Sequence, residues 1–397
     1  MKKNIINLGP QHPAVHGVLR VITELNNETI TKVIPEIGYL HRGTEKLSEY
    51  SEYYKIVPFF DRLDYTGLLL CEHTYVLCLE KLLHLNVDFQ AQISRILFNE
   101  LMRISSHFLA LTTSAMDIGA VTPFLWLFEE REEIMNFFEN ISGARMHTAL
   151  FRVSGLNYTI SYQDLIYFNE IVLKLKSKIY EIYELLHNSN IWKIRFQNIG
   201  IIDKKIGKSY GVSGPVLRSL GFSSDQRLNK PYEIFQYIPI NIIFGYQGDN
   251  LTRFFIRLEE LLISLQYISY LINYLLNNYK NIQLKNFNKM RFEKAFNTTF
   301  YNSEENMESV IYSFKQFSEG YSLGLNKTYI STESPKGEFG VSIKSSYKLP
   351  NRPYRLKIRS PGYYNLNTLN IVSSNYVISD LLSYLSTLDL ILGEIDK

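Results

Sequence analysis

At Asp61 the hydrophobic pattern of this chain changes period, and no other feature constrains the fold as strongly. Before it, GVLRVITELNNETITKVIPEIGYL alternates apolar and polar residues around Asn26-Asn27, as two strands joined by a tight turn would. After it, Ile93, Ile96, Leu97, Leu101, Ile104, Phe108 and Leu111 recur at three- and four-residue spacing and define one helix face. Asp88 is placed to cap that helix, and Thr122-Pro123 offers a second cap followed by proline at the first helical position. Further helices are expected at about Tyr162–His187 and Asn250–Asn278, with the Gly- and Pro-richer residues 190–248 forming loops and short elements between them. Beyond about residue 285 the pattern predicts a helix near Glu305–Glu319, strand pairs around SPKGEFGVSI and YRLKIRSPG, and a last helix near Ser379–Leu392. The expected class is α+β. A small N-terminal α/β domain of strands and turns spans 1–60, a helical bundle with inserted loops spans 61–285, and a mixed α/β region spans 286–397. A chain of 397 residues exceeds the size at which one core stops growing, so several packed units are expected.

Composition narrows the function classes. An apolar share of 46% with 20% charged residues is a globular balance, and a net charge of +3 gives no basic footprint for nucleic acid. Abundant Tyr, Phe, Ile, Asn and Lys with few Ala suggest A+T-rich coding DNA, as organelle genomes often have. Cys71 and Cys78 sit in the apolar run LLLCEHTYVLCLEKLL, fit no zinc or cluster spacing, and read as buried free thiols. The start, MKKNIINLGPQHPAVHG, has neither an apolar signal core nor an Arg- and Ser-rich presequence. Leu261–Tyr279 is uncharged and long enough to span a bilayer, but Gln266, Ser269, Asn273 and Asn277 form a polar stripe along it. An amphipathic helix packed on protein is expected there, and no transmembrane segment.

Singly, the polar motifs say little. HPAVH (His12 to His16) lacks the glutamate of a helical zinc-protease motif, and Pro13 suggests a loop. LHRGTEKL places His41, Arg42 and Glu45 close together, as a surface ion pair would. DRLDY (Asp61 to Tyr65) puts an arginine, two acids and a phenol at the mouth of the first long helix. SAMDIGA sets Asp117 among small residues, FEEREE reads as a solvated face, and GARMH places Arg145 and His147 beside a permissive glycine.

Together the strings are specific. NLGPQHPAVHGVLR, LHRGTEKL, FDRLDY, TPFLWLFEEREE, SGARMH and SPKGEFGV occur in the order found in the hydrogenase-like subunit 7 family of complex I, the respiratory NADH:quinone oxidoreductase. The resemblance runs from Asn7 to Asp396. The wider group includes the large subunits of nickel–iron hydrogenases, which carry two Cys-x-x-Cys pairs. Neither pair is present here and the tail GEIDK has no cysteine, so the thiolates a nickel–iron site needs are missing. RVSGL after His147 and the loop FGYQGD, with Asp249 kept, also depart from the family pattern.

The resemblance implies a hydrogenase-large-subunit-like fold whose old metal position serves as a quinone headgroup site, shared with a small partner subunit holding the terminal 4Fe–4S cluster. His16 and Tyr65 match residues that hydrogen-bond the quinone carbonyls, and Asp117 matches the carboxylate paired with that histidine. Arg62 and His147 match residues near the partner's cluster, and Arg42 matches an arginine on the same side. Quinone would be the substrate, and no cofactor would be held by this chain's own ligands. The implied partners are the small iron–sulfur subunit and the membrane-arm subunit at the quinone entrance. The implied setting is the matrix side of the mitochondrial inner membrane, in preference to a bacterial cytoplasmic face. Two alternatives stand beside this reading: a subunit of a related membrane-bound hydrogenase-type complex, and a non-catalytic scaffold that kept the fold. Bound nickel would mark the first, but its cysteines are missing. The joint presence of His16, Tyr65 and Asp117 speaks against the second.

Overall fold

A computed structural model of the chain describes residues 4–11, 17–158, 160–284 and 307–397. Strands β1 (Asn4–Leu8), β2 (Arg20–Asn26) and β3 (Thr29–Glu36) form an antiparallel sheet in that order. Asn27 takes the left-handed conformation the β2–β3 turn requires (φ 56°), a role suited to asparagine. Val21, Leu25, Ile30 and Val33 point inward and share a core with the C-terminal helices through Leu366, Leu381, Leu385 and Leu392.

Residues 44–61, read in the sequence as strands and turns, are instead helical. They hold α1 (Thr44–Tyr50), a 3-10 turn at Tyr53–Lys55 and α2 (Val57–Asp61). These pieces are too short to display a helical period. Gly43 supplies the left-handed start of α1 (φ 62°), and Pro58 costs no hydrogen bond in the first turn of α2.

The bundle follows with α3 (Leu68–Leu83), α4 (Phe89–Ile118) and α5 (Val121–Ser142). Asp88 caps α4 by accepting from the Gln90 amide at 3.1 Å, and Gly119 (φ 92°) ends it. The second expected cap is wrong: Thr122 and Pro123 lie inside the first turn of α5, because the chain needs only Gly119 and Ala120 to turn between helices. After the small hairpin β4 (Phe151–Arg152) and β5 (Gly155–Leu156), α6 (Tyr162–His187) opens with a reciprocal cap between Ser161 and Asp164. The loop-rich stretch holds α7 (Asn190–Phe196), α8 (Lys204–Ser209), α9 (Pro215–Arg218) and α10 (Gln226–Asn229). Then α11 (Asn250–Leu284) runs past its expected end. Along α11, Gln266, Asn273 and Asn277 face out while Leu265, Ile268, Ile272 and Leu275 are buried. Among the described residues no helix is long and apolar enough to cross a membrane.

The chain closes with α12 (Met307–Glu319), an antiparallel sheet of β6 (Lys327–Ser334), β7 (Gly337–Ser345) and β8 (Pro353–Arg359), and the helices α13 (Pro361–Leu366), α14 (Leu369–Val372), α15 (Ile378–Leu388) and α16 (Leu392–Ile395). The expected start of α12 at Glu305 lies outside the described residues. The single last helix that the pattern predicts is broken at Asp389, whose left-handed backbone (φ 53°) separates α15 from α16.

Helix α4 is the axis of the molecule, packing on α5, α11 and α15. The second sheet packs on α3, where Cys71 and Cys78 are buried free thiols beside Val341 and Phe339. Leu101, at the centre of α4, is fully buried. Leu101→Ala leaves a cavity worth about 2–5 kcal/mol. Thermal melting of the assembled protein should show a lowered midpoint, and an unchanged midpoint would mean α4 is not central to the core.

Candidate functional site

Strands β6 and β7 are joined by the two-residue turn Pro335-Lys336, with Ser334 paired to Gly337. A side chain at Gly337 would strike Ser213 Oγ at 2.5 Å, and one at Gly214 would strike the Gly337 Cα at 2.5 Å. This close backbone contact presses the turn into the protein and sends Lys336 inward, where its side chain is fully buried. Its Nζ donates to Asp64 Oδ2 (3.0 Å) and Oδ1 (3.1 Å) and to Thr66 Oγ1 (2.7 Å), with Ser106 Oγ at 3.5 Å and Asp389 Oδ2 at 3.7 Å. Burial disfavours the ammonium, but Asp389, Asp64 and Glu394 more than offset it and raise the Lys336 pKa. Glu394 is buried on α16 and accepts from the Gly362 amide at 3.1 Å. Burial and the nearby Asp64 push its carboxyl up to about 8.

Between the two Lys336 anchors lies Tyr65. The residue is 43% exposed and borders a cavity of about 190 Å³, lined also by Leu19, Thr113, Leu385, Asp389 and Ile391. Burial pushes the phenol pKa up, Lys336 pulls it back, and Asp64 and Asp389 raise it. Asp117 is half-buried in the last turn of α4, one turn beyond the cavity residue Thr113. His16, the other expected donor, lies outside the described residues.

Arg42 and Arg62 come together at a second place. Arg42 Nη2 donates to the Arg62 carbonyl at 2.5 Å, and Arg62 Nη1 donates to the Pro58 carbonyl at 2.9 Å. Both are exposed. His147 is half-buried in a strained loop, with φ 57° there and 44° at Ala149. Its charge acts on Asp61, the residue before Arg62. Asp61 and Glu72 are both fully buried, and burial raises both carboxyls. The expected pairing within LHRGTEKL does not form: Glu45 instead binds Arg355 (3.2 Å) and the Ile358 amide, and His41 binds the Asp396 carbonyl at 2.8 Å. FEEREE is not wholly solvated either, since Glu130 is buried.

The sequence reading missed Lys336, Asp64, Thr66, Asp389 and Glu394 as a group. Lys336 and Asp64 stand inside the strings SPKGEFGV and FDRLDY, but nothing in a single sequence says that a lysine in a hairpin turn is buried. Among the described residues no cluster of His, Cys, Asp or Glu could hold a metal ion.

A helical core with two three-stranded antiparallel sheets, and a cavity bordered by Tyr65 beside the buried Lys336 cluster, is consistent with the α+β plan expected of the hydrogenase-large-subunit-like class. A family model described as respiratory-chain NADH dehydrogenase, 49 kDa subunit, matches residues 117–397. The chain is 42% identical over its whole length to NADH dehydrogenase (ubiquinone) iron–sulfur protein 2 of Nephroselmis olivacea, covering 97% of that protein. It is also 42% identical over its whole length to the NADH-ubiquinone oxidoreductase 49 kDa subunit of Acanthamoeba castellanii, covering 96% of that protein. With the iron–sulfur protein 2 of Arabidopsis thaliana it shares 40% identity, covering 98% of that protein. The chain belongs to the 49 kDa subunit family of respiratory NADH dehydrogenase, complex I.

Glu394 makes the site's stability depend on pH. Its folded pKa of about 8 lies above the ordinary value near 4.3. The stability tied to its protonated form is therefore fully present below about pH 4.3 and is lost as pH rises through about 8. Glu394→Gln keeps an acceptor for Gly362 and cannot ionise. Between pH 6 and 9 the melting midpoint of the assembled complex should fall less in the variant than in the wild type. Parallel curves would show that Glu394 is already ionised at pH 6.

Proposed function

We propose that this chain, a core subunit of NADH:quinone oxidoreductase, forms the quinone-reduction site with a small iron–sulfur partner. The observation that carries this reading is Tyr65 at the rim of the 190 Å³ cavity, over the buried Lys336 cluster. A cavity of about 150 Å³ accepts a six-membered ring, so a quinone headgroup is an occupant of the right size. Leu19, Leu385 and Ile391 offer it apolar contact.

Reduction of a quinone adds two electrons and two protons, and the charge that develops falls on its two oxygens. Donors already in place stabilise that charge without reorganising. Tyr65 supplies one proton and His16 the other, with Asp117 favouring the protonated imidazole and holding its orientation. The electrons come from the partner's 4Fe–4S cluster, on the side where Arg42, Arg62 and His147 stand. Cationic groups there favour a reduced cluster. This chain has only two cysteines, both buried free thiols, so its own residues do not supply the four thiolates of a cluster. The complex acts at the matrix face of the mitochondrial inner membrane and couples quinone reduction to proton translocation in its membrane arm. A membrane-arm subunit borders the quinone entrance.

Tyr65→Phe removes one hydroxyl and little volume, so the complex should assemble and oxidise NADH normally with an artificial acceptor that bypasses the quinone site. Losing one preorganised donor commonly costs about 3 kcal/mol, roughly a hundredfold in rate. Quinone reduction, measured on the same membranes and normalised to assembled complex, should fall by about that factor. Full quinone reductase activity over a range of tail lengths would show that the phenol is not a required donor.

A further inference from the structure

We propose that Asp61 and Glu72 share a single proton between their carboxyls, and that the pair so formed positions the loop carrying His147. This rests on the reading that sets His147 and Arg62 beside the partner's cluster, and it adds two residues that touch neither cluster nor quinone. Asp61 ends α2 and Glu72 lies in the second turn of α3, and the two helices pack on each other. Neither residue exposes any surface.

The proton follows from the hydrogen bonds. Glu72 Oε2 accepts from the Phe151 amide at 3.0 Å. Glu72 Oε1 and both oxygens of Asp61 are buried with no donor among the described residues. Yet the two side chains meet in a hydrogen bond. Ionised carboxylates only accept, so that bond exists only with a proton between them. Two bare like charges side by side in the interior would be costly, and one shared proton leaves the pair singly negative. The charged groups that face it are cationic: His147 and Arg62 act on Asp61, and Arg152 acts on Glu72.

The loop needs such a hold. His147 and Ala149 are left-handed at φ 57° and 44°, which residues other than glycine keep only where their surroundings impose it. His147 Nδ1 is buried without a hydrogen-bond partner among the described residues, so that side of the ring is placed by its backbone. Glu72 grips the amide at the loop's end, while Asp61 faces the Ala149 amide. The shared proton joins the two carboxyls, and so ties the end of α2, which leads into Arg62, to the loop that carries His147.

Asp61→Asn and Glu72→Gln are isosteric, and each replaces the shared proton by an amide donor while keeping the pair's single charge. Infrared spectra of assembled complex at neutral pH, with each variant subtracted from wild type, should show one protonated-carboxyl band lost in both. The double variant should lose no second band. A band lost in only one single variant, in neither, or two lost in the double variant would overturn the shared proton. Asp61→Ala reads the positioning, because it leaves Glu72 without its partner. That complex should keep artificial-acceptor activity, while the electron paramagnetic resonance signal of the reduced cluster shifts and kcat for quinone falls about tenfold or more. Asp61→Asn should restore both. Glu72→Met, which frees the Phe151 amide, is read the same way should Asp61→Ala not assemble. An unchanged cluster signal there, beside a shifted one in His147→Ala, would sink the positioning role alone. An unchanged signal in His147→Ala would remove the cluster-side reading and the positioning with it, whatever the infrared spectra show.

Discussion

The rest of the structure depends on one constraint: α4 runs through the middle of the protein with Arg95, Glu100, Arg103 and His107 all out of water. An ion moved from water to a protein interior costs several kcal/mol unless it is met by an opposite charge in good geometry. Each of the three ions is met, and burial lowers the His107 pKa, which favours its neutral imidazole. Arg95 holds Glu80 (2.6 Å) and Glu233 (2.8 Å), Glu100 holds Arg227 (3.2 Å) and Ser264 (2.8 Å), and His107 lies 3.1 Å from Glu260. Glu260 in turn meets Arg218 at 2.7 Å. Burial alone would raise the Glu260 carboxyl, but Arg218 and His107 bring it down to about 2. Its folded pKa lies below the ordinary carboxylate value, so its stabilising contribution is present above that value and is lost only as pH falls through about 2. The partners come from α3, α10, α11 and the 3-10 turn Glu233–Gln236. Turning α4 by one position would therefore strand several charges at once. Apolar packing tolerates small shifts; this network does not.

The network also explains how a hairpin turn comes to hold a buried lysine. Arg103 Nη2 donates to the Glu333 carbonyl at 2.6 Å, and Arg218 meets the Glu333 carboxylate at 2.7 Å. These bonds pin the end of β6, and the next turn of chain is Pro335-Lys336. Ser106, one turn beyond Arg103 on α4, comes within 3.5 Å of the Lys336 ammonium. The helix that fixes the core thus also fixes the floor of the cavity. A site meant to stabilise charge gains from such support, because dipoles and ions already held in place cost nothing to arrange during reaction.

What could be read from the sequence follows from the same physics. Long amphipathic runs declare themselves, so α4, α6 and α11 were visible by period, and Asp88 by its capping chemistry. The short helices at 44–61 hold too few turns to show a period. The break at Asp389 was hidden because a left-handed residue other than glycine leaves no compositional mark. In the site, Tyr65 was legible because DRLDY is distinctive, whereas Lys336 was only a letter in a recognised string. The polar face of α4 was the hardest to read. A charged stripe opposite an apolar one normally means solvent, and here it means other buried charges. Single-sequence reasoning cannot tell those apart, since both satisfy the helix equally well.

The α2–α3 loop carries a geometric consequence for coupling electrons to protons. Arg62 and Tyr65 are three residues apart, so their backbones can be separated by at most about 10 Å even if fully extended. Arg62 sits at the place proposed to face the partner's cluster, and Tyr65 at the proposed proton donor. The loop is fixed at both ends: Arg42 holds the Arg62 carbonyl, and Lys336 holds Asp64 and Thr66. Behind it, a side chain at Gly393 would strike the Leu63 carbonyl at 2.6 Å, so α16 presses directly on its backbone. A loop clamped in this way cannot shift at one end without straining the other. Placing both proposed functions on it keeps the distance between the reducing side and the proton donor constant, and the break at Asp389 lets α16 turn inward to close the clamp.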